Sequence, residues 1–523
     1  MTVMDQSAVR DQDDWRIVYL LALAIVLIVA WPTLFFPFAR DQGIHATIAY
    51  ALGEGLVTYS DVYNIKPPLT TAVHLLSQTL FGHSMAAIRS LDMVFAGLTT
   101  LGLVSIVRRC GLPQAAGIFT AFGFVLIYYS QSYWSNAQTD GWAGFLVVAA
   151  VLAMLSGWER PSGRARTMRM GLAGAILGIA FATKYTIGGA GILIFAPLLA
   201  GRDVRFQLMD FIAVTLGGLS FLVLLALVML GAGALAPYFE IQGYILGYVG
   251  IASSIGALLS QTLNILPNTQ TQVVIVLGAL VWLWGAYKRE ALLFHALIPL
   301  WLFAGGLSAV VQGKGFHYHY LPLVPPYALL IGLVGWRLVE IIRRFGVGRP
   351  ILPVAVLAGG LALPSEAVNW MGRGLTALTG PEPSETMLSE FPPGTDFDIA
   401  ATLAFNDVLT QRREPDDRLF VWGFETMLYF LQREPPRYRY PYAWPFVVHY
   451  HDGRYTDDLI TRLTEEPPRH IVVQDEDATP WVTARDQSSR EFLWDFPELS
   501  AFVSERYRLV ESHPRFELWE MDE

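Results

Sequence analysis

The chain has 523 residues, 53% of them hydrophobic and 15% charged, with a mean hydropathy of +0.41. Soluble proteins carry about 25% charge, so an ordinary cytosolic enzyme is excluded. A single cysteine, Cys110, excludes a disulfide framework within one copy, and the apolar dominance without a Gly-X-Y period excludes a disordered or collagenous chain.

What fits is a polytopic α-helical membrane protein carrying a C-terminal soluble part. The net charge of −9 is unevenly placed: residues 1–370 hold 21 Lys/Arg and 16 Asp/Glu, whereas residues 371–523 hold 15 and 29. We expect a transmembrane domain at 1–370 and a small soluble α/β domain at 371–523. The acidic tail would repel phosphates, which argues against nucleic acid as a partner.

In chain order, apolar stretches long enough to cross a hydrocarbon core of about 30 Å occur at 17–36, 85–107, 113–130, 143–158, 211–230, 271–287, 291–312, 320–342 and 351–368. The stretch 170–200 is interrupted by Lys184 and reads as two short helices turning there, which makes eleven spans. With that count, the basic residues Arg10, Arg16, Arg108, Arg109, Arg160 to Arg169, Arg202, Arg205, Lys288, Arg289 and Arg343 to Arg349 fall on one side. The positive-inside rule makes that side cytoplasmic. The N-terminus is then cytoplasmic and the tail periplasmic, in a bacterial-type inner membrane, with no removable signal peptide.

The first outer loop runs through Arg40-Asp41-Gln42 to Lys66-Pro67-Pro68, ahead of an amphipathic segment at 69–81. The paired prolines disfavour helix at Lys66 and leave that side chain on a stiff, extended piece. Three of the four lysines, Lys66, Lys184 and Lys314, fall on the poorly basic outer face, which calls for an anionic partner there. The stretch 231–270 is expected along the membrane surface, as the border of a lipid groove or as a re-entrant packing segment. The tail reads as a helix at 397–410, a strand at 418–422, a helix at 425–432, a strand at 470–474 and a strand pair at 507–511 and 516–520.

An acid followed by Lys-Pro-Pro just outside the first span resembles the GT-C glycosyltransferases that use lipid phosphosugars, in particular the aminoarabinose-transferase and protein O-mannosyltransferase group. Asp41 matches the first acid, Lys66-Pro67-Pro68-Leu69 the lysine-proline segment, Asp140 an acid at the start of the fourth span, and 312–322 a His-Tyr segment. The chain departs from the pattern at Gln42, in place of a second acid, and at Ile44, in place of an arginine, and both departures weaken the carry-over of a metal site. The resemblance implies about a dozen membrane helices, an outward C-terminal domain and a polyprenyl-phosphate sugar donor.

Sugar transfer from such a donor needs a carboxylate to take the acceptor's proton and cations where phosphate charge develops. Asp41 suits the first task and Lys66 the second, with Lys184, Lys314, Arg89 and His317 as further phosphate-binding candidates and Asp140, Arg40 and His319 as other candidates. No cofactor is required by this chemistry, although a divalent cation is compatible with it. The acceptor is a hydroxyl on a lipid, polysaccharide or protein.

Structural readings compete at each position. Asp41 and Asp140 could cap helices. Arg89 and Asp92 could neutralise each other, Lys184 could reach headgroups, Arg40 could anchor at the interface, and His317 with His319 could belong to an aromatic belt. Asp475, Glu476 and Asp477 could bind a cation or form a solvated charge run, the second reading being preferred. The alternatives to a transferase are a transporter or flippase, which would place charges midspan, and a noncatalytic envelope-assembly component.

Overall fold

The computed structural model describes residues 7–201, 205–249, 252–345, 351–380, 383–414 and 416–522. Arg202 and Arg349, counted above among the basic loop residues, lie outside them. The described residues fall into two compact units. One comprises Met1–Phe35, Ile88–Leu224 and Ser253–Thr379, and the other Phe36–Ala87, Leu225–Ala252 and Gly380–Glu523.

Helices dominate the first unit because its apolar runs leave the backbone no solvent to bond with. Among the described residues, seven helices of the chain are long and apolar enough to cross a membrane: Trp15–Phe35, Met85–Arg109, Thr139–Trp158, Leu208–Gly231, Thr269–Tyr287, Leu292–Gln312 and His317–Arg344. Gln114–Tyr129 and Tyr185–Leu199 are shorter apolar helices. Exposed Ile17, Leu20, Leu216, Val223 and Leu224 coat the first and fourth of those spans, as expected of lipid-facing surface in a multi-pass membrane protein.

Helix pairs in this unit meet through glycine. A Cβ on Gly174 would lie 1.9 Å from the Val214 carbonyl oxygen, and one on Gly217 would lie 2.0 Å from that of Gly171. Backbones approach that closely only where side chains are missing, which is how membrane helices gain dispersion contact without a hydrophobic driving force. At the start of the same two helices Arg166 Nε donates to Asp210 Oδ1 at 2.9 Å, with both side chains buried.

The expected break at Lys184 is present. The helix Arg164–Thr183 stops there, and a 3-10 segment, Tyr185–Phe195, follows. The expected span 351–368 is not one helix: Ile351–Ala362 and Glu366–Thr379 are separate, because Pro364 cannot continue the first and Ser365 turns the chain into the second. Eleven spans therefore stays a proposal beside the seven long helices.

The second unit differs from the expected split at residue 370. The first outer loop and the segment 225–249 pack with the tail. The physical reason is aromatic: Ile48, Tyr59, Tyr63, Ile241 and Tyr244 share one buried core with Trp422, Tyr440, Trp444, Tyr455 and Phe502. The helix Leu235–Val249 thus contributes Ile241 and Tyr244 to that core.

Among the described residues the tail holds a four-stranded sheet in the order β1-β2-β4-β3: β1 (Leu419–Trp422), β2 (His470–Gln474), β3 (Tyr507–His513) and β4 (Phe516–Met521). β1 and β2 are parallel, and β4 runs antiparallel to both its neighbours. The parallel pair is buried at every position, as expected of the apolar runs 419–422 and 471–473 at its centre. The expected helices are found at Ile399–Arg412 and Met427–Leu431.

The solvated reading of 475–477 holds for exposed Glu476 and is corrected for Asp477. Asp477 is wholly buried, accepting from the Ser489 amide and hydroxyl at 2.7 Å each, and Asp475 accepts from the Ser488 hydroxyl at 2.7 Å. These carboxylates hold the start of the helix Ser489–Trp494 against the end of β2.

Burial pushes the Asp477 carboxyl up to about 6 and the Glu425 carboxyl up to about 7, against the pull of Arg40 on each. A carboxyl that holds its proton more tightly when folded stabilises the fold fully below its unfolded pKa of about 4, and that contribution is lost as pH rises through about 6 to 7. Thermal unfolding of the full chain should accordingly show a midpoint that falls from pH 5 to pH 8, and Glu425→Gln should flatten that slope. An unchanged slope in the variant would contradict the assignment.

Candidate active site

In the second unit, the helix Arg40–Gly53 begins after Ala39, and the Gln42 side-chain oxygen accepts the Ala39 amide at 3.1 Å. Ala39 is thus the N-cap residue and Gln42 closes the turn, so the capping reading of Asp41 gives way to one in its first turn. There a carboxylate is favoured by the helix dipole.

Lys66 reaches the same place from the other side. Pro67 has φ −58° and ψ 152°, and Pro68 opens the helix Pro68–Phe81. The Lys66 amide donates to Asn64 Oδ1 at 2.9 Å, and the Tyr59 hydroxyl donates to the Lys66 carbonyl at 2.7 Å. Asn64 is held in turn by donating to Thr71 Oγ1 at 3.2 Å. With its backbone fixed on both sides, Lys66 places Nζ 3.6 Å from Asp41 Oδ2.

That separation satisfies an ion pair but exceeds a normal N–H···O hydrogen bond. The side chains are 22% and 19% exposed, so neither is solvent-swept nor sealed. Burial, with the Asp41 charge adding to it, holds the Tyr248 phenol far above its usual value; the same two causes act on Tyr442, against a hydrogen bond to the Ile65 backbone.

Arg40 is engaged inside the second unit. It donates to Asp396 Oδ2 at 2.7 Å and also to the Asp396 carbonyl, and its guanidinium lies 5.7 and 5.5 Å from the ring centres of Phe397 and Phe424. At 11% exposure it is an interior anchor tying the first loop to the tail.

In the first unit, Asp140 lies in the first turn of the helix Thr139–Trp158, after N-cap Gln138. It is fully buried, with Lys184 Nζ 2.9 Å from Oδ2 and Gln312 Nε2 donating to Oδ1 at 2.8 Å. Lys184 is the residue at which the backbone leaves α-helical geometry, with φ −152° and ψ 110°. Its headgroup reading is replaced by a buried ion pair joining two helix ends.

Arg89 is likewise engaged inside the protein. Its terminal nitrogens donate to the Asn136 carbonyl at 2.9 Å and the Tyr133 carbonyl at 3.0 Å, while Asp92 accepts from the Tyr128 hydroxyl at 2.7 Å and Trp142 Nε1 at 2.9 Å. These bonds pin the 131–138 loop. Lys314 sits between Gly313 and Gly315, both at φ 69°, and burial brings its ammonium down to about 8. His317 is exposed; His319 is buried, 4.7 Å from the Tyr318 ring and 5.2 Å from the Phe316 ring. Among the described residues no group of three or more His, Cys, Asp or Glu could hold a metal ion.

The structure thus joins Asp41 to Lys66 in one unit and Asp140 to Lys184 in the other. The sequence carries no signal for the roles of Asn64, Tyr59 and Tyr442. A neutral side chain that fixes a charged one leaves no charge or periodicity signal.

Residues 65–230 match the family model described as dolichyl-phosphate-mannose-protein mannosyltransferase. That region contains Lys66, Arg89, Asp140 and Lys184, and ends well short of Lys314. Among solved structures, ArnT from Cupriavidus metallidurans bound to undecaprenyl phosphate superimposes with a TM-score of 0.58 at 15% identity, covering 97% of each chain. The chain has the ArnT fold. ArnT from the same organism in the apo state gives a TM-score of 0.56 at 16% identity, covering 97% of this chain and 98% of that one. A search of curated protein sequences gives no significant match. The family model and the ArnT fold bear out the GT-C resemblance drawn from the acid and the Lys-Pro-Pro segment.

Removing one partner of a buried ion pair strands the other charge, at about 3–5 kcal/mol. Lys184→Met should therefore lower the thermal midpoint sharply, and Asp140→Asn in the same chain should recover much of the loss. If the double variant is as unstable as the single one, the pair does not act as a unit.

Proposed function

We propose that this protein is an integral-membrane glycosyltransferase that moves a sugar from a polyprenyl-phosphate donor to an acceptor hydroxyl at the extracytoplasmic face. The observation that carries the reading is the Asp41–Lys66 pair, a carboxylate and an ammonium 3.6 Å apart and partly exposed. The ArnT fold and the family match over 65–230 support it. So does the distribution of basic loop residues, which supports a cytoplasmic N-terminus and a periplasmic second unit in a bacterial-type inner membrane.

The chemistry follows from the two groups. The acceptor oxygen attacks the anomeric carbon, its proton passes to the Asp41 carboxylate, and the bond between the anomeric carbon and the phosphate oxygen breaks. The Lys66 ammonium then faces the charge that collects on the leaving phosphate. A fixed cation there is worth about 2–4 kcal/mol in the transition state if it acts like an oxyanion-hole donor. The loose 3.6 Å separation suits this role, because a phosphate oxygen can take over the ammonium without breaking a short hydrogen bond.

Among the other cations, we assign Lys184 and Arg89 to holding the helices of the first unit, since Asp140 and the backbone carbonyls occupy them. Lys314 and His317 are our candidates for additional phosphate contacts. The acceptor class, a lipid, polysaccharide or protein hydroxyl, is read from the chemistry alone.

The test is reconstitution of the full chain in lipid with a panel of polyprenyl-phosphate sugars. Lys66→Ala should cut donor turnover by about 10²–10³-fold, and Asp41→Asn by at least about 10²-fold, with thermal midpoints near that of the wild type. Turnover unaffected by both substitutions would discard the site.

A further inference from the structure

The second unit satisfies most of its buried phenols with care. The Tyr244 hydroxyl donates to the Pro445 carbonyl at 2.7 Å, that of Tyr440 to Asp458 Oδ2 at 2.8 Å, that of Tyr438 to the Glu466 carbonyl at 2.7 Å and that of Tyr507 to the Pro468 carbonyl at 2.7 Å. One cluster breaks the pattern. Among the described residues the Tyr63 hydroxyl, the Tyr450 hydroxyl and Trp444 Nε1 are buried atoms with no hydrogen-bond partner. Tyr63 and Trp444 are 0% and 2% exposed.

These three lie in one aromatic group. The Tyr63 ring is 5.4 Å from Tyr455 and 6.1 Å from Tyr442; Tyr450 is 5.2 Å from Tyr244 and 6.2 Å from Trp444. Burial holds the Tyr63 phenol well above its usual value, with Tyr442, Tyr455, Tyr244 and Tyr450 adding to the effect. A buried polar group left unsatisfied is costly, so several in one place call for something else to bond them.

The group adjoins the proposed chemistry. Tyr63 is three residues ahead of Lys66, its amide donating to the Arg439 carbonyl at 2.6 Å, and Tyr442 feels the Asp41 charge. Its polar atoms are neutral: phenols that both donate and accept, and an indole that only donates. A sugar ring offers the complement, hydroxyls around its edge for the phenols and a C–H face for the aromatic rings.

We propose that Tyr63, Tyr442, Trp444, Tyr450 and Tyr455 form the seat for the donor's sugar ring, taking a neutral polyhydroxylated sugar by its hydroxyls and ring face. The proposal rests on the transferase reading and deepens it. The polyprenyl phosphate is common to every such donor, so this cluster is where one sugar is told from another.

The test uses the full chain in lipid nanodiscs, titrated calorimetrically with undecaprenyl phosphate and with undecaprenyl-phosphoryl mannose, glucose, galactose and arabinose. The best sugar-bearing ligand should bind wild type about tenfold or more tightly than undecaprenyl phosphate, as expected for two or three added hydrogen bonds. Tyr63→Phe and Tyr450→Phe should each shrink that ratio severalfold and leave the affinity for undecaprenyl phosphate unchanged. Their ligand-free thermal midpoints should hold or rise, because each removes an unpaired hydroxyl; a purely structural role would lower them. Sugar-free binding with a ratio that neither substitution alters overturns this proposal alone. Binding of neither ligand by wild type overturns the transferase reading and this proposal with it.

Discussion

An ammonium held at salt-bridge distance from a carboxylate, close enough to pair and too far to lock, is the constraint on which the second unit is organised. Two prolines after Lys66 remove helix as an option, and the Asn64 and Tyr59 side chains bond the Lys66 backbone from both sides. Asp41 is fixed by sitting in the first turn of a helix whose N-cap bond is supplied by Gln42. The neighbouring Arg40 is spent on Asp396 and two aromatic rings, which secures the start of that helix to the tail.

The same economy governs the first unit. Its helices approach through glycines, and its buried charged groups each have a defined structural effect. Arg166 with Asp210 ties the bases of two helices, Asp140 with Lys184 and Gln312 ties a helix start to a helix break, and Arg89 holds the 131–138 loop by its carbonyls. Because lipid offers these groups nothing, a buried pair there is worth its desolvation only when both partners are present.

Much of this was legible in the sequence. The long helices follow from apolar length, the break at Lys184 from one charge in an apolar run, and the buried strands β1 and β2 from the apolar runs 419–422 and 471–473 between turn signals. Asp41 and Lys66 stood out as an acid ahead of Lys-Pro-Pro on an outer face poor in basic residues. What the sequence hid was partnership. Lys184 finds Asp140 across 44 residues and Arg40 finds Asp396 across 356, and neither separation leaves a periodicity. Asp477 looked solvated inside an acidic run because its partner, Ser489, is a neutral residue twelve positions on. The grouping of the first outer loop with the tail was hidden for the same reason: tyrosines carry no sign of where their rings will pack.

The central claim is that Lys66 exchanges its carboxylate partner for a donor phosphate. A cryo-electron-microscopy map of the full chain in lipid with undecaprenyl phosphate bound tests it most directly. The account predicts a phosphate oxygen within about 3 Å of Lys66 Nζ, with the Asp41 carboxylate released from the ammonium and turned toward the position of the anomeric carbon. A phosphate bound elsewhere, with the Asp41–Lys66 pair undisturbed, would contradict it.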